Sequence, residues 1–86
     1  MIIINDIVTN DLYVTENTIL YSQALFNVYV SPNVTFVVNG IVNVDTVVYL
    51  GKNSFLENNG TIHGDIVYGE GTLDNNGIVG GNITKG

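Results

Sequence analysis

The chain contains no cysteine, no tryptophan and no arginine. Without cysteine, neither a disulfide nor a thiolate metal site can staple the fold. Charge is sparse at 12%, and two lysines against eight acids leave a net charge of −6. Nucleic-acid affinity rests on clustered Lys and Arg, so nucleic acid is excluded as a partner. An anionic membrane surface is disfavoured for the same reason. No stretch approaches the roughly 20 apolar residues of a membrane-spanning helix. Ile2-Ile3-Ile4 is apolar, but no basic residue precedes it and Asn5 and Asp6 end the run, so no secretory signal is expected. Synthesis in a cytoplasm and no membrane partner are the expectation.

Helix-type patterning is also missing. Apolar runs are short and β-branched, and Gly, Asn and Asp interrupt them every few residues. The 10 glycines and a hydrophobic content of 45% suit short strands joined by tight turns. With 86 residues, one small domain spanning 1–86 is expected, and its own core is modest.

What is present is a repeat. Leu56-Glu57-Asn58-Asn59-Gly60-Thr61-Ile62-His63-Gly64-Asp65-Ile66 returns 17 residues later as Leu73-Asp74-Asn75-Asn76-Gly77-Ile78-Val79-Gly80-Gly81-Asn82-Ile83. Apolar, Asn and Gly positions stay in phase, which points to a coiled β architecture with one repeat per turn. Tyr13, Tyr29, Tyr49 and Tyr68 extend it backwards in steps of 16, 20 and 19 residues, and Lys85 falls at the next position. Two apolar columns accompany them: Ile19, Phe36, Leu56, Leu73, and Leu25, Val42, Ile62, Val79. A fourth column is Asn39-Gly40, Asn59-Gly60, Asn76-Gly77. The expected fold is an all-β solenoid of about five turns, at ~18 residues per turn, with three short strands in each. Residues 1–32 form irregular N-terminal turns and 33–86 the clear repeats. Both apolar columns point inward. The Asn-Gly corners are assigned φ > 0 and a ladder of stacked Asn side chains.

Chemistry is hard to place on this pattern. His63 is the only histidine and is expected on the outer surface, with no second ligand for zinc. Asp45, Asp65 and Asn82 offer one oxygen per turn, where calcium takes six to eight oxygen ligands. Asp65 and Asp74 are candidate neighbours across turns, yet nothing marks them as a glycosidase pair. Ser22, Ser31 and Ser54 bear no evident relation to His63. The chain reads as non-enzymatic and without a cofactor.

Alternation places Tyr13, Tyr29, Tyr49 and Tyr68 on the outside if Leu12, Val28, Val48 and Val67 point in. Two readings of this column stand side by side. In one it is an exposed seam that suits an oligomer interface. In the other the rings are partly buried under corner loops with only the hydroxyls wet.

The phrases Asn-Asn-Gly-Thr-Ile-His-Gly-Asp-Ile and Asn-Asn-Gly-Ile-Val-Gly-Gly-Asn-Ile, within residues 56–83, resemble β-helix repeats in two groups. One is phage structural proteins: tail spikes, fibres and trimeric capsid-decorating proteins. The other is bactofilins, bacterial cytoskeletal filaments, from which the uneven steps and the Tyr- and Phe-rich first half depart. The first resemblance implies a virion structural protein made in a host cytoplasm. It would be a homotrimer joined along the tyrosine column and attached to a larger protein shell or tail surface through Ile2, Ile3 and Ile4. On this expectation the C-terminal end, at Lys85, is a finished end. The second implies an end-to-end filament in a bacterial cytoplasm. A glycan-binding β-helix is a third expectation.

Overall fold

The computed structural model describes residues 1–86 and contains no helix. Fourteen short strands follow one another: β1 (Ile2–Ile4), β2 (Leu12–Val14), β3 (Thr18–Leu20), β4 (Gln23–Ala24), β5 (Val28–Val30), β6 (Thr35–Val38), β7 (Ile41–Val42), β8 (Val47–Leu50), β9 (Phe55–Asn58), β10 (Thr61–Ile62), β11 (Asp65–Val67), β12 (Thr72–Asn75), β13 (Ile78–Val79) and β14 (Ile83–Thr84). They stack into three sheets, ordered β1-β3-β6-β9-β12, β4-β7-β10-β13 and β2-β5-β8-β11-β14. Every pairing is between consecutive turns and parallel. In the first turn the middle sheet is represented only by a bridge from Val8 to Ala24. The protein is therefore a three-sided β-solenoid of five turns.

Period-2 alternation decides which side chains enter the prism. In the first sheet the inward columns are Ile2, Thr18, Phe36, Leu56, Leu73 and Ile4, Leu20, Val38, Asn58, Asn75. The second sheet contributes Val8, Ala24, Val42, Ile62, Val79. The third contributes Leu12, Val28, Val48, Ile66, Ile83 and the start of another column, Val14, Val30, Leu50. Phe36, Val42, Leu56 and Ile62 are fully buried, and Leu73 and Val79 close the core in the last turn, as the repeat implies. Leu56 lies beside Leu73, and Ile62 beside Val79.

Ile19 and Leu25 are corrections. Thr18 and Leu20 take the inward positions of β3, so Ile19 faces outward between Ile3 and Val37. Ala24, not Leu25, stands in the column of Val42. The reason lies in the corners. The step from the first sheet to the second is constant: Ile4 to Val8, Leu20 to Ala24, Val38 to Val42, Asn58 to Ile62 and Asn75 to Val79 are each four residues. The other two corners vary. The third turn inserts extra chain at Val44-Asp45, and the passages at Ser31–Val34 and Gly51–Ser54 are longer than the first at Thr15–Asn17. Asp45, Asn33 and Asn53 have φ of 62°, 64° and 59°, the left-handed conformation that Asn and Asp tolerate best among non-glycine residues.

The Asn-Gly corners differ from expectation. None of Asn39, Gly40, Asn59, Gly60, Asn76 or Gly77 has positive φ. Glycine is needed there for proximity: a Cβ on Gly40 would overlap the Ser22 carbonyl oxygen, and one on Gly60 the Gly40 carbonyl oxygen. The Asn ladder itself is present. Asn59 Nδ2 donates to Asn39 Oδ1 at 3.1 Å, and Asn76 Nδ2 to Asn59 Oδ1 at 3.2 Å. A second ladder runs inside the corner. Asn58, with no exposed surface, donates from Nδ2 to Asn75 Oδ1 at 2.9 Å and to the Ile78 carbonyl at 3.0 Å, and its Oδ1 accepts the Gly60 amide at 3.2 Å. A buried amide so partnered avoids the desolvation cost of an orphaned one. Because the outer ladder is exposed, Asn59→Ala is expected to cost only about 0.5–1.5 kcal/mol. Urea unfolding checks this: the midpoint should fall while the slope stays unchanged.

Candidate assembly surfaces

The third sheet carries the aromatic column on its outer face. Tyr13, Tyr29 and Tyr49 occupy one register position on successive turns. Their ring centroids are 5.1 Å apart at both steps, with interplanar angles of 14° and 4°. This is close to the ~4.8 Å rung spacing, so the rings stack one per rung. Each ring covers its neighbour's face, which leaves edges and hydroxyls to solvent. Tyr13 is 65% exposed and Tyr49 38%. The exposed reading of the column holds for Tyr13 and Tyr49, while Tyr29 between them is half-buried.

Tyr68 does not belong to the stack. Val67 pairs with Tyr49, and Thr84 pairs with Val67, so the column runs Tyr13, Tyr29, Tyr49, Val67, Thr84. Tyr68 sits one residue on, following the inward column of Val30 and Leu50, and packs half-buried against the core. Lys85 is likewise one residue beyond the aromatic column. The sequence clue was alternation: Ile66, with Asp65 and Val67 on either side, has to be the inward residue of β11.

A second outer strip was missed. Ile3, Ile19 and Val37 line up on the first sheet, and the strip turns acidic at Glu57 and Asp74. Placing Ile19 in the core concealed it.

The first turn contributes Ile2, Ile4, Val8 and Leu12 as its inward residues, and Ile2 is 41% exposed. Ile2, Ile3 and Ile4 thus form β1, the edge strand of the first sheet. In the fifth turn Leu73 and Val79 are half-buried, and Ile83 is 46% exposed. β12, β13 and β14 are regular paired strands with a free edge.

An open groove of about 520 Å³ lies where the inserted Val44-Asp45 segment stands off the body. Leu25, Phe26, Asp11 and Asp45 contribute to it. Asp11 Oδ1 accepts the Asn27 amide at 3.2 Å, and Asn27 Oδ1 accepts the Val47 amide at 2.9 Å, so side-chain oxygens here serve the next rung's backbone. Asp65 repeats the device, its Oδ1 accepting the Asn82 amide at 2.8 Å. Asp65 and Asn82 are therefore neighbours in one column, whereas Asp45 is displaced to the inserted corner. Asp74 stands beside Glu57 on the first sheet, away from Asp65 on the third. His63 is exposed. No group of three or more His, Asp or Glu side chains comes together to hold a metal ion. Ser54 is the one buried polar side chain whose oxygen lacks a hydrogen-bond partner.

No protein-family model, curated protein or solved structure matches the chain.

Proposed function

We propose that the protein is a non-enzymatic structural protein that works by assembling with copies of itself along the solenoid axis, as in a bactofilin-like filament of a bacterial cytoplasm. The observation that carries this reading is the parallel, in-register stacking of all five turns, with β1 and β12 as the edge strands of the first sheet, since strand edges recruit further strands unless they are covered. Burying them adds core to a domain whose own core is small.

The outward-facing Tyr13, Tyr29, Tyr49 stack supports a second reading. In it the protein is a phage virion component, a homotrimeric decoration or short spike protein. The stack and the neighbouring Val67 would bury a lateral seam, and Ile2, Ile3 and Ile4 would attach the trimer to a shell or tail.

Solution mass against concentration, with electron microscopy, separates the two. Axial assembly gives species that lengthen with concentration at constant width. Lateral closure gives one discrete mass near three chains. In the second case, Tyr29→Ala is expected to lower the trimer association constant by tenfold or more, since central aromatic residues dominate interfaces. A monodisperse monomer at micromolar concentration would contradict both.

A further inference from the structure

We propose that the groove beside the Val44-Asp45 excursion is a docking site for a basic segment of a partner protein, an extended chain with Lys or Arg at alternate positions. The groove lies on the edge between the second and third sheets and involves neither the tyrosine stack nor the edge strands β1 and β12.

The solenoid itself does not require this groove. From the second sheet to the third, Val8 to Leu12, Ala24 to Val28, Ile62 to Ile66 and Val79 to Ile83 are each four residues, whereas Val42 to Val48 is six. The two extra residues leave the register untouched, since β7 and β8 keep their partners on both sides. What they change is the surface. Val44 is 56% exposed, beside Phe26 of the preceding turn, which is 50% exposed. Half-buried Leu25 completes the apolar lining. The hollow of about 520 Å³ falls within the roughly 300–1,000 Å³ of ligand pockets. A second hollow of about 250 Å³ shares Asp11 and Phe26 with the first, so Phe26 borders both.

Charge selects the occupant. Asp11 and Asp45 are the charged residues of the lining, and both are acidic. The asparagine oxygens beside them are already engaged: Asn27 Oδ1 accepts the Val47 amide at 2.9 Å, and Asn43 Oδ1 accepts from Gln23 Nε2 at 3.4 Å. Asp11 commits Oδ1 to the Asn27 amide, which leaves Oδ2 and the Asp45 carboxylate for a ligand. The chain's own lysines do not answer them, because Lys52 and Lys85 lie on the edge that follows the third sheet. Lys and Arg suit both halves of the groove. Their aliphatic stems cover Phe26 and Val44 while the charged heads reach the carboxylates. A cation over the Phe26 ring adds to the attraction. Anionic ligands are repelled by the same carboxylates and by the net charge of −6.

The span also agrees. Asp11 belongs to the first turn and Asp45 to the third, two rungs or about 9.6 Å apart along the axis. That is close to three residues of extended chain, and alternate residues of such a chain point the same way. An open groove covers one side of its occupant, as suits a protein segment.

The test uses the full chain and the peptide acetyl-Lys-Ala-Lys-amide at low salt, followed by proton–nitrogen amide correlation spectra. The expected result is a set of saturable shifts centred on residues 25–27 and 43–45. Asp11→Asn together with Asp45→Asn should weaken binding about tenfold or more. Both substitutions keep the local structure: a side-chain oxygen remains for the Asn27 amide, and asparagine tolerates the φ of 62° at position 45. Glu57→Gln together with Asp74→Asn removes the same two charges from the first sheet and should change affinity less than about twofold. Phe26→Ala should weaken binding about threefold, with the spectrum away from the groove as in the native chain. Equal losses from the two charge pairs would overturn the site in favour of diffuse attraction. Equal binding of the same peptide with both lysines acetylated, or no saturable shift at millimolar peptide, would overturn it as well.

Discussion

Truncating Phe36 to alanine is expected to destabilise the protein by about 3–5 kcal/mol. Phe36 heads the largest fully buried side chains and is flanked in its column by Thr18 and Leu56. Thr18 Oγ1 is held by the Glu16 carbonyl at 2.7 Å, so it is not free to swing into the space a phenyl ring would leave. The cavity would stay open, and open cavities set the upper end of such costs. At roughly 4–8 °C per kcal/mol for a domain of this size, the melting temperature should drop by well over 10 °C. Ile19→Ala is the control. Ile19 faces outward, so its truncation should cost under about 1 kcal/mol. Equal losses for the two variants would restore the register in which Ile19 points inward.

Adding one methyl group at Gly60 is expected to cost about 3 kcal/mol, the upper range for overpacking. The new Cβ would fall on the Gly40 carbonyl oxygen and 2.9 Å from the Asn39 carbonyl carbon, both backbone atoms that cannot rotate away. Relief requires parting two rungs, which also stretches the Asn39–Asn59 hydrogen bond of the outer ladder. Gly80→Ala should be nearly neutral, because a Cβ there meets nothing nearer than 3.5 Å. Thermal unfolding of the pair separates proximity from conformational freedom. If Gly60→Ala melts with the native chain, the rungs have more slack at this corner than the structure shows.

The last third of the chain was the most legible. Leu56 and Leu73, Ile62 and Val79, and the stacked Asn59 and Asn76 are regular because the two copies have corners of nearly equal length. The first half was harder for a physical reason. Ile19 and Leu25 are as apolar as their inward neighbours, Leu20 and Ala24, so hydrophobicity does not choose between faces. Only the fixed four-residue step from Leu20 to Ala24 does so, and it becomes visible once all five turns are aligned. Tyr68 misled through identity: it shares a residue type with Tyr49 but a face with Leu50. The glycine corners misled through habit, since Asn-Gly favours positive φ in hairpins. Between parallel rungs the pair is constrained by crowding from the next turn.

The uneven corners divide the prism's three long edges into one that is fixed and two that vary. Along the Asn-Gly edge every turn spends the same number of residues, and both asparagine ladders run there. Along the other edges extra chain bows outward without altering the pitch, as the Val44-Asp45 excursion does while β7 and β8 keep their partners. Surface novelty can thus be added along two edges with the stack undisturbed. A foreign peptide spliced after Val44 would be displayed on a scaffold whose zipper lies on a different edge.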